Sequence, residues 1–336
     1  MREENVKTLY DSVILILGTK YIARERGQLS LMWGHMIPTA ADLEGLYGIR
    51  VREVRSLPDT SRAWLVEAEG DRLVLRIHGP ERHAAHAGEM TVLRLCAEEG
   101  YLAPRLVPTA AGDVLFPWEG GEGYMTSWIE GDLPLGDLDD AHLMGLTTGR
   151  LHAISTDGRG LPMTTYSVRS GRREFHTYDA DPSVRAWAGY ADLREQLLSA
   201  WADLSDLDTV PQVIVHTDVL WENAIRTPQG QMVLIDWDDT GLGPAIQDVG
   251  YFLAHCTVLP HAHEEWATDI ATAFLEGYKQ ARSLSAAEQD LLPDAMVFGV
   301  LSYVLAPWHG GIETLNWRRV RAILDHPEQI RAMIRG

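Results

Sequence analysis

Cysteine is nearly absent: Cys96 and Cys256 are the only two in 336 residues. Two cysteines cannot build a disulfide framework, and neither lies in a cluster spaced for metal, so a reducing, cytoplasmic setting is expected. Long apolar runs are missing too. "VILILG", Val13 to Gly18, is far too short to span a bilayer. It is also a poor signal core, because Glu3, Glu4 and Asp11 precede it and no small-residue cleavage site follows. "VFGVLSYVLA", Val297 to Ala306, reads as a buried helix. There is no internal repeat and no low-complexity tract. Positive charge is scarce: 29 Lys and Arg stand against 48 Asp and Glu, a net charge of −19. That balance argues against nucleic acid and anionic membranes as partners.

What is present suits one large domain or two lobes, each with its own core, since 46% of the chain is hydrophobic. Residues 1–37 look like an N-terminal extension, with a candidate helix over "NVKTLYDSVILILGTKYIARE". From Pro38 the pattern changes. "TAADLEGLYG" is a short Thr-capped helix, "IRVREVRSL" alternates as a strand, and "AWLVEAEGDRLVLRIHG" is two strands around a Glu-Gly-Asp turn. A helix over "HAAHAGEMTVLRLCAEEGY" stops at Gly100, and further strands precede "TSWIEGD". After Gly131 helical spacing dominates, interrupted by strands at "QVIVH", "NAIRT" and "MVLIDW", and everything beyond Gly241 reads as helical. The expectation is an α+β, bilobal chain: a strand-rich N-lobe over 38–126, a hinge over 127–131 and a helical C-lobe over 132–336.

The chemistry gathers in "HTDVLWENAI" and the "VLIDWDD" that follows. A strand-loop-strand hairpin brings the start of its loop near the end of its second strand, which would juxtapose Asp218 and Asn223 with Asp236. Carboxylates so close repel unless a cation joins them. Hard oxygen ligands of this kind suit Mg²⁺, which takes a few protein oxygens and completes its shell with substrate phosphates. Phosphoryl transfer needs an Asp to deprotonate a hydroxyl, an Asn five residues on, and a further Asp for the metal. His216-x-Asp218-x4-Asn223 followed by Asp236 supplies these in order. A metallohydrolase would want more histidines than His216.

These residues resemble the aminoglycoside phosphotransferase and choline kinase-like family, which shares the protein kinase-like fold. "VIVHTDVLWENAI" matches its "HGD....N" loop, and "VLIDWDDTGLGPAIQDVGYFL" its "IDW(D/E)....GP...DLA" segment. The likeness covers about residues 38–336. It implies Asp218 as catalytic base, Asn223 and Asp236 as Mg²⁺ ligands, and His216 and Asp248 as supports of the loop, with His152 in "RLHAIS" structural. A simple helix N-cap is compatible with Asp248 as well. The resemblance further implies a nucleotide, ATP or GTP, held by Arg76 in place of the usual Lys and by its helix partner Glu89. Ser61 would sit at the tip of the phosphate-covering loop, and Ser127 and Ile129 would receive the base at the hinge.

Only "WDDTGLGPAIQ" separates Asp236 from Asp248, too little for the segment with which protein kinases bind polypeptides. A small-molecule hydroxyl acceptor is therefore expected. Trp237, Asp238, Asp239 and Glu222, with Trp221 nearby, offer carboxylates and aromatic walls suited to a cationic acceptor. Three readings stay open. The first is a kinase for an aminoglycoside-like antibiotic. The second is a kinase for a metabolite hydroxyl such as choline, homoserine or a sugar, or a protein kinase of the same fold. The third is a non-catalytic nucleotide-binding module.

Overall fold

The computed structural model describes residues 37–57, 62–79, 83–119, 121–259, 265–305 and 311–335. The chain forms two compact units, Met1–His86 with Pro104–Ile129, and Ala87–Ala103 with Glu130–Gly336. The sequence assigned 38–126 to one lobe; Ala87–Ala103 belongs instead to the helical unit. The N-terminal extension lies almost wholly outside the described residues.

In the first unit α1 (Ala40–Tyr47) starts as its sequence foretells. The Thr39 hydroxyl accepts from Asp42 N at 3.2 Å and Asp42 Oδ2 accepts from Thr39 N at 2.8 Å, which satisfies two otherwise orphaned donors. Strands β1 (Val51–Ser56), β2 (Ala63–Ala68) and β3 (Arg72–His78) form an antiparallel meander. The chain then passes through α2 (His83–Glu98), and β4 (Leu106–Val107), β5 (Phe116–Trp118) and β6 (Gly121–Ser127) complete the sheet in the order β1-β2-β3-β6-β4, with β5 on β6. One face buries Val66, Leu73, Leu75, Ile77 and Met125 against Leu43 and Tyr47 of α1. Full burial of such side chains contributes about 1.5–3 kcal/mol each.

The second unit is helical: α3 (Leu138–His152), α4 (Val168–Ala180), α5 (Pro182–Arg185), α6 (Tyr190–Asp203), α7 (Ala245–Thr257), α8 (Thr268–Ala281), α9 (Ala286–Leu301), α10 (Thr314–Asp325) and α11 (Pro327–Arg335). Helices α3 and α8 touch backbone to backbone. A Cβ on Gly145 would lie 1.9 Å from Phe274 O, and one on Gly277 2.0 Å from His142 O, so only glycine fits at either. Every residue of α7 except His255 is buried, which makes it the central helix of this unit.

Four short strands thread the helices: β7 (Gln212–Val215), β8 (Ala224–Arg226), β9 (Met232–Leu234) and β10 (Gly241–Pro244). Two further residues at a time, β11 (Val258–Leu259) and β12 (Glu265–Trp266), pair beyond α7. The expectation that everything after Gly241 is helical is thus corrected: β10 pairs antiparallel with β7 before α7 begins. "GLGP" carries no β-branched residue and two glycines, so it reads as a turn. The glycine at 241 is there for space, since a Cβ would lie 2.6 Å from Thr164 N.

Candidate active site

Strand β7 runs into His216 and Thr217, and the chain there is gripped from α7. Asp248 Oδ2 accepts from His216 N at 2.7 Å and Oδ1 from Thr217 N at 2.7 Å. Asp248 sits in the first turn of α7 and is fully buried, and its carboxylate serves the loop rather than capping its own helix, whose N-cap is Pro244. Thr217 holds φ at +76, a left-handed conformation that costs a β-branched residue on the order of 1–2 kcal/mol. The two charge-assisted bonds from Asp248 hold it there. His152 adds a third contact, Nε2 lying 3.0 Å from Asp248 Oδ2.

His216 ties the loop to the far strand. Its Nε2 lies 3.0 Å from Ile235 O, and its ring meets the Trp237 ring edge-on at 4.7 Å. Burial pushes its pKa down, so the ring is neutral and Nε2–H donates to the carbonyl. The β8–β9 hairpin does the remaining alignment. Ala224 pairs with Leu234, and Ile235 N donates to Asn223 O at 2.9 Å, which sets Asp236 one residue beyond Asn223's partner. Asp236 also holds a positive φ, 66°.

Asn223 Nδ2 donates to Asp218 Oδ2 at 2.5 Å and to Asp218 O at 3.1 Å. Burial pushes the Asp218 carboxyl up to about 7; a Tyr251 hydroxyl bond pulls it down, the Asp236 and Glu222 charges push it up, and Asn223 pulls it down. Asp218, Asn223 and Asp236 are therefore brought together, braced by His216 and Asp248. The donor chemistry fits a hard cation. With its Nδ2 committed to Asp218, Asn223 keeps Oδ1 as an acceptor, and Asp236, near enough for its charge to raise the Asp218 carboxyl, adds a carboxylate. No group of three or more His, Cys, Asp or Glu among the described residues could hold a metal unaided. A cation at Asn223 and Asp236 would draw its remaining ligands from water and phosphate.

In the sheet of the first unit, Arg76 pairs with Ala63 of β2 and Tyr124 of β6, and strand alternation puts its side chain on the face opposite Leu75 and Ile77. Glu89 is buried on α2. Ser127 ends β6; its N–H donates to Arg105 O at 2.8 Å and its hydroxyl accepts from Arg105 N at 2.9 Å. Pairing with Arg105 thus takes the Ser127 N–H. Ile129 is the last residue of its unit. Ser61 lies outside the described residues.

The acceptor-side expectations need one correction. Trp237 is 1% exposed, its Nε1 donates to Leu234 O at 3.0 Å, and it packs on His216 and Tyr101, so it is a core wedge with no face for a ligand. Trp221 is likewise buried, against Phe252. Glu222 is exposed, and Asp238 and Asp239 are half-buried. Asp239 accepts from the Thr164 hydroxyl at 2.8 Å through its carbonyl and from the Thr165 hydroxyl at 3.3 Å through Oδ1. It lines an open depression of about 540 Å³ with Thr165, Tyr166, Arg173, Glu174 and Tyr178. Nothing in the sequence pointed to this depression beside α4. Its signal was only a Ser167–Ser170 capping box, which marks a helix start and nothing about a ligand.

The phosphotransferase enzyme family model matches residues 53–289. No curated protein matches the chain in sequence. Among solved structures, an aminoglycoside phosphotransferase from Alicyclobacillus acidocaldarius is similar at 16% identity, over 90% of this chain and 96% of its own, with a TM-score of 0.62. An amicoumacin kinase, solved with AMP-PNP and Ca²⁺, is similar at 18% identity over 92% and 94%, TM-score 0.63. A choline kinase from Streptococcus pneumoniae follows at 15% identity over 83% and 94%, TM-score 0.57. These likenesses give a kinase-like fold with a sheet-built N-terminal region and a larger helical part.

Proposed function

The chain belongs to the phosphotransferase enzyme family, and from that premise we propose that it moves the γ-phosphoryl group of ATP or GTP onto a hydroxyl of a small, cationic acceptor such as an aminoglycoside-like antibiotic. The observation that carries this reading is the Asn223–Asp218 bond at the entry to the β8–β9 hairpin, two residues beyond whose last strand stands Asp236. Asn223 fixes the rotamer of Asp218, whose carboxylate takes the hydroxyl proton as the acceptor oxygen attacks phosphorus and the bond to the leaving nucleoside diphosphate breaks. Mg²⁺ held by Asn223 Oδ1 and Asp236 would neutralise the phosphate oxygens. Asp248 and His216 keep the loop in register, and Arg76 is our assignment for the phosphates. Ser127 and Ile129 are assigned to the base through backbone groups.

The acceptor reading rests on two supports. The stretch from Asp236 to Asp248 is spent on β10 and the first turn of α7, which leaves no segment on which to lay a polypeptide. Glu174 and Asp239 give the depression two carboxylates beside Arg173, a mix suited to an acceptor that carries amines. Similar structures include a spectinomycin phosphotransferase with ADP and spectinomycin, and a choline kinase. A metabolite hydroxyl is therefore the second reading. The test is nucleoside diphosphate release with Mg²⁺ across aminoglycosides, spectinomycin, choline, homoserine and simple sugars. Release with a cationic antibiotic alone supports the first reading. Release with a neutral sugar alone overturns it.

A further inference from the structure

The site explains why His152 touches Asp248 but not what lies on the other side of His152, where the buried polar contacts continue. His152 Nδ1 is 2.8 Å from the Tyr278 hydroxyl of α8. Arg282, just past the end of α8, donates through Nη1 to that hydroxyl at 2.9 Å and through Nη2 to Glu288 Oε1 at 2.6 Å. Glu288 Oε2 accepts from Ser285 N at 2.8 Å, the capping box that opens α9. The catalytic loop is thus joined through Asp248, His152, Tyr278 and Arg282 to the start of α9.

The donors and acceptors fix the direction of every bond in this chain. Arginine only donates. Tyr278 oxygen therefore accepts from Arg282, and burial keeps the phenol protonated. Its single proton points to His152 Nδ1, which must accept. The ring then carries its proton on Nε2 and donates it to Asp248 Oδ2, the same oxygen that accepts from His216 N. Were His152 doubly protonated, the phenol proton would be left without an acceptor. Were the proton on Nδ1, a lone pair on Nε2 would face the Asp248 carboxylate and push it off the loop.

We infer that Arg282 is a positioning residue for phosphoryl transfer: through Tyr278 it selects the Nε2–H tautomer of His152, and through His152 it holds Asp248 on the His216–Thr217 backbone. The tautomer selection stands on these contacts alone, while the effect on turnover rests on the assignment of Asp218 as catalytic base. A salt bridge that merely clamped the turn between α8 and α9 would leave the tautomer indifferent to Arg282.

Imidazole ¹⁵N NMR of the full chain reads the tautomer directly. His152 is expected as neutral, Nε2-protonated in the wild type; an imidazolium or the Nδ1–H form there overturns the inference without any variant. Tyr278→Phe keeps the ring and the Arg282–Glu288 pair but cuts the link. Both Tyr278→Phe and Arg282→Met should release His152 to a mixture of tautomers. Each should also lower kcat about tenfold or more with little change in nucleotide KM, since the loop shifts and the nucleotide contacts do not. Arg282→Lys, which still donates, should recover part of both. A His152 that keeps its Nε2–H form in both variants, or an unchanged kcat, overturns it. Absence of transfer to any acceptor in the wild type would count against the phosphotransfer reading alone, because the ¹⁵N result stands without turnover.

Discussion

Thr217 and Asp236 both hold a left-handed backbone, and the first is gripped by one carboxylate, Asp248, that accepts from two successive N–H groups and from His152. Asn in place of Asp248 would turn an amide donor toward one of these donors. Asp248→Asn should lose about 2–3 kcal/mol of stability, because a buried group is left unpaired, with a large loss of turnover. Denaturant unfolding checks the first, and a midpoint equal to wild type would contradict the account. Asp236→Ala should weaken Mg-nucleotide binding by calorimetry; unchanged affinity would remove Asp236 from the metal. At this scale the sequence was most readable where spacing and chemistry coincide. Asp218, Asn223 and Asp236 could be named because five residues and one hairpin bring them together. Trp237 could not, because an indole beside a motif looks the same in sequence whether it walls a pocket or, as here, bonds Leu234 O from within the core. The pairing of Ser127 N–H with Arg105 O was hidden in the same way, because no side-chain identity reports a strand partner.

Among the elements, the crossing of α3 and α8 fixes where His152 and Tyr278 meet. Gly145→Ala would place a Cβ 1.9 Å from Phe274 O, backbone that cannot move without shifting a helix. We expect it to cost about 3 kcal/mol or more, measured by denaturant unfolding, with loss of activity through His152. A wild-type midpoint would mean the helices do not cross this closely. The hairpin that carries the site was legible, since its turn residues are the ones such a turn wants: Gly230 takes φ +75 and donates to Thr227 O at 2.9 Å. Strand β10 and the depression beside α4 were not. The first is chosen for tight approach rather than propensity, and the second is made by side chains distant in sequence.

Over the whole molecule, helical spacing takes over near Gly131 and the units divide at Ile129 and Glu130, with Ala87–Ala103 in the helical unit, because a helix does not announce in sequence which core it joins. No helix among the described residues is long and apolar enough to cross a membrane. Stability should depend on pH through His255, whose Nε2 bonds Gly299 O at 3.1 Å beside the Tyr251 and Tyr303 rings. Desolvation of its half-buried ring, helped by the nearby Arg319 charge, pushes it from 6.5 down to about 3. The unfolded chain therefore binds the proton first. Stability is unaffected above 6.5 and falls as pH drops from there toward 3, at up to about 1.4 kcal/mol per pH unit. His255→Gln, which keeps a donor for Gly299, should flatten that slope between pH 6 and 4, and an unchanged slope would contradict the assignment.

In the proposed reaction Asp218 removes the acceptor proton while Asn223 and Asp236 serve the metal-bound nucleotide. The most direct measurement compares wild type and Asp218→Asn for nucleotide affinity by calorimetry and for phosphate monoester formation by ³¹P NMR with the acceptor that the panel identifies. Nucleotide binding should be near-equal, and transfer should fall about 10²-fold or more in the variant. Transfer by Asp218→Asn at close to the wild-type rate would contradict it.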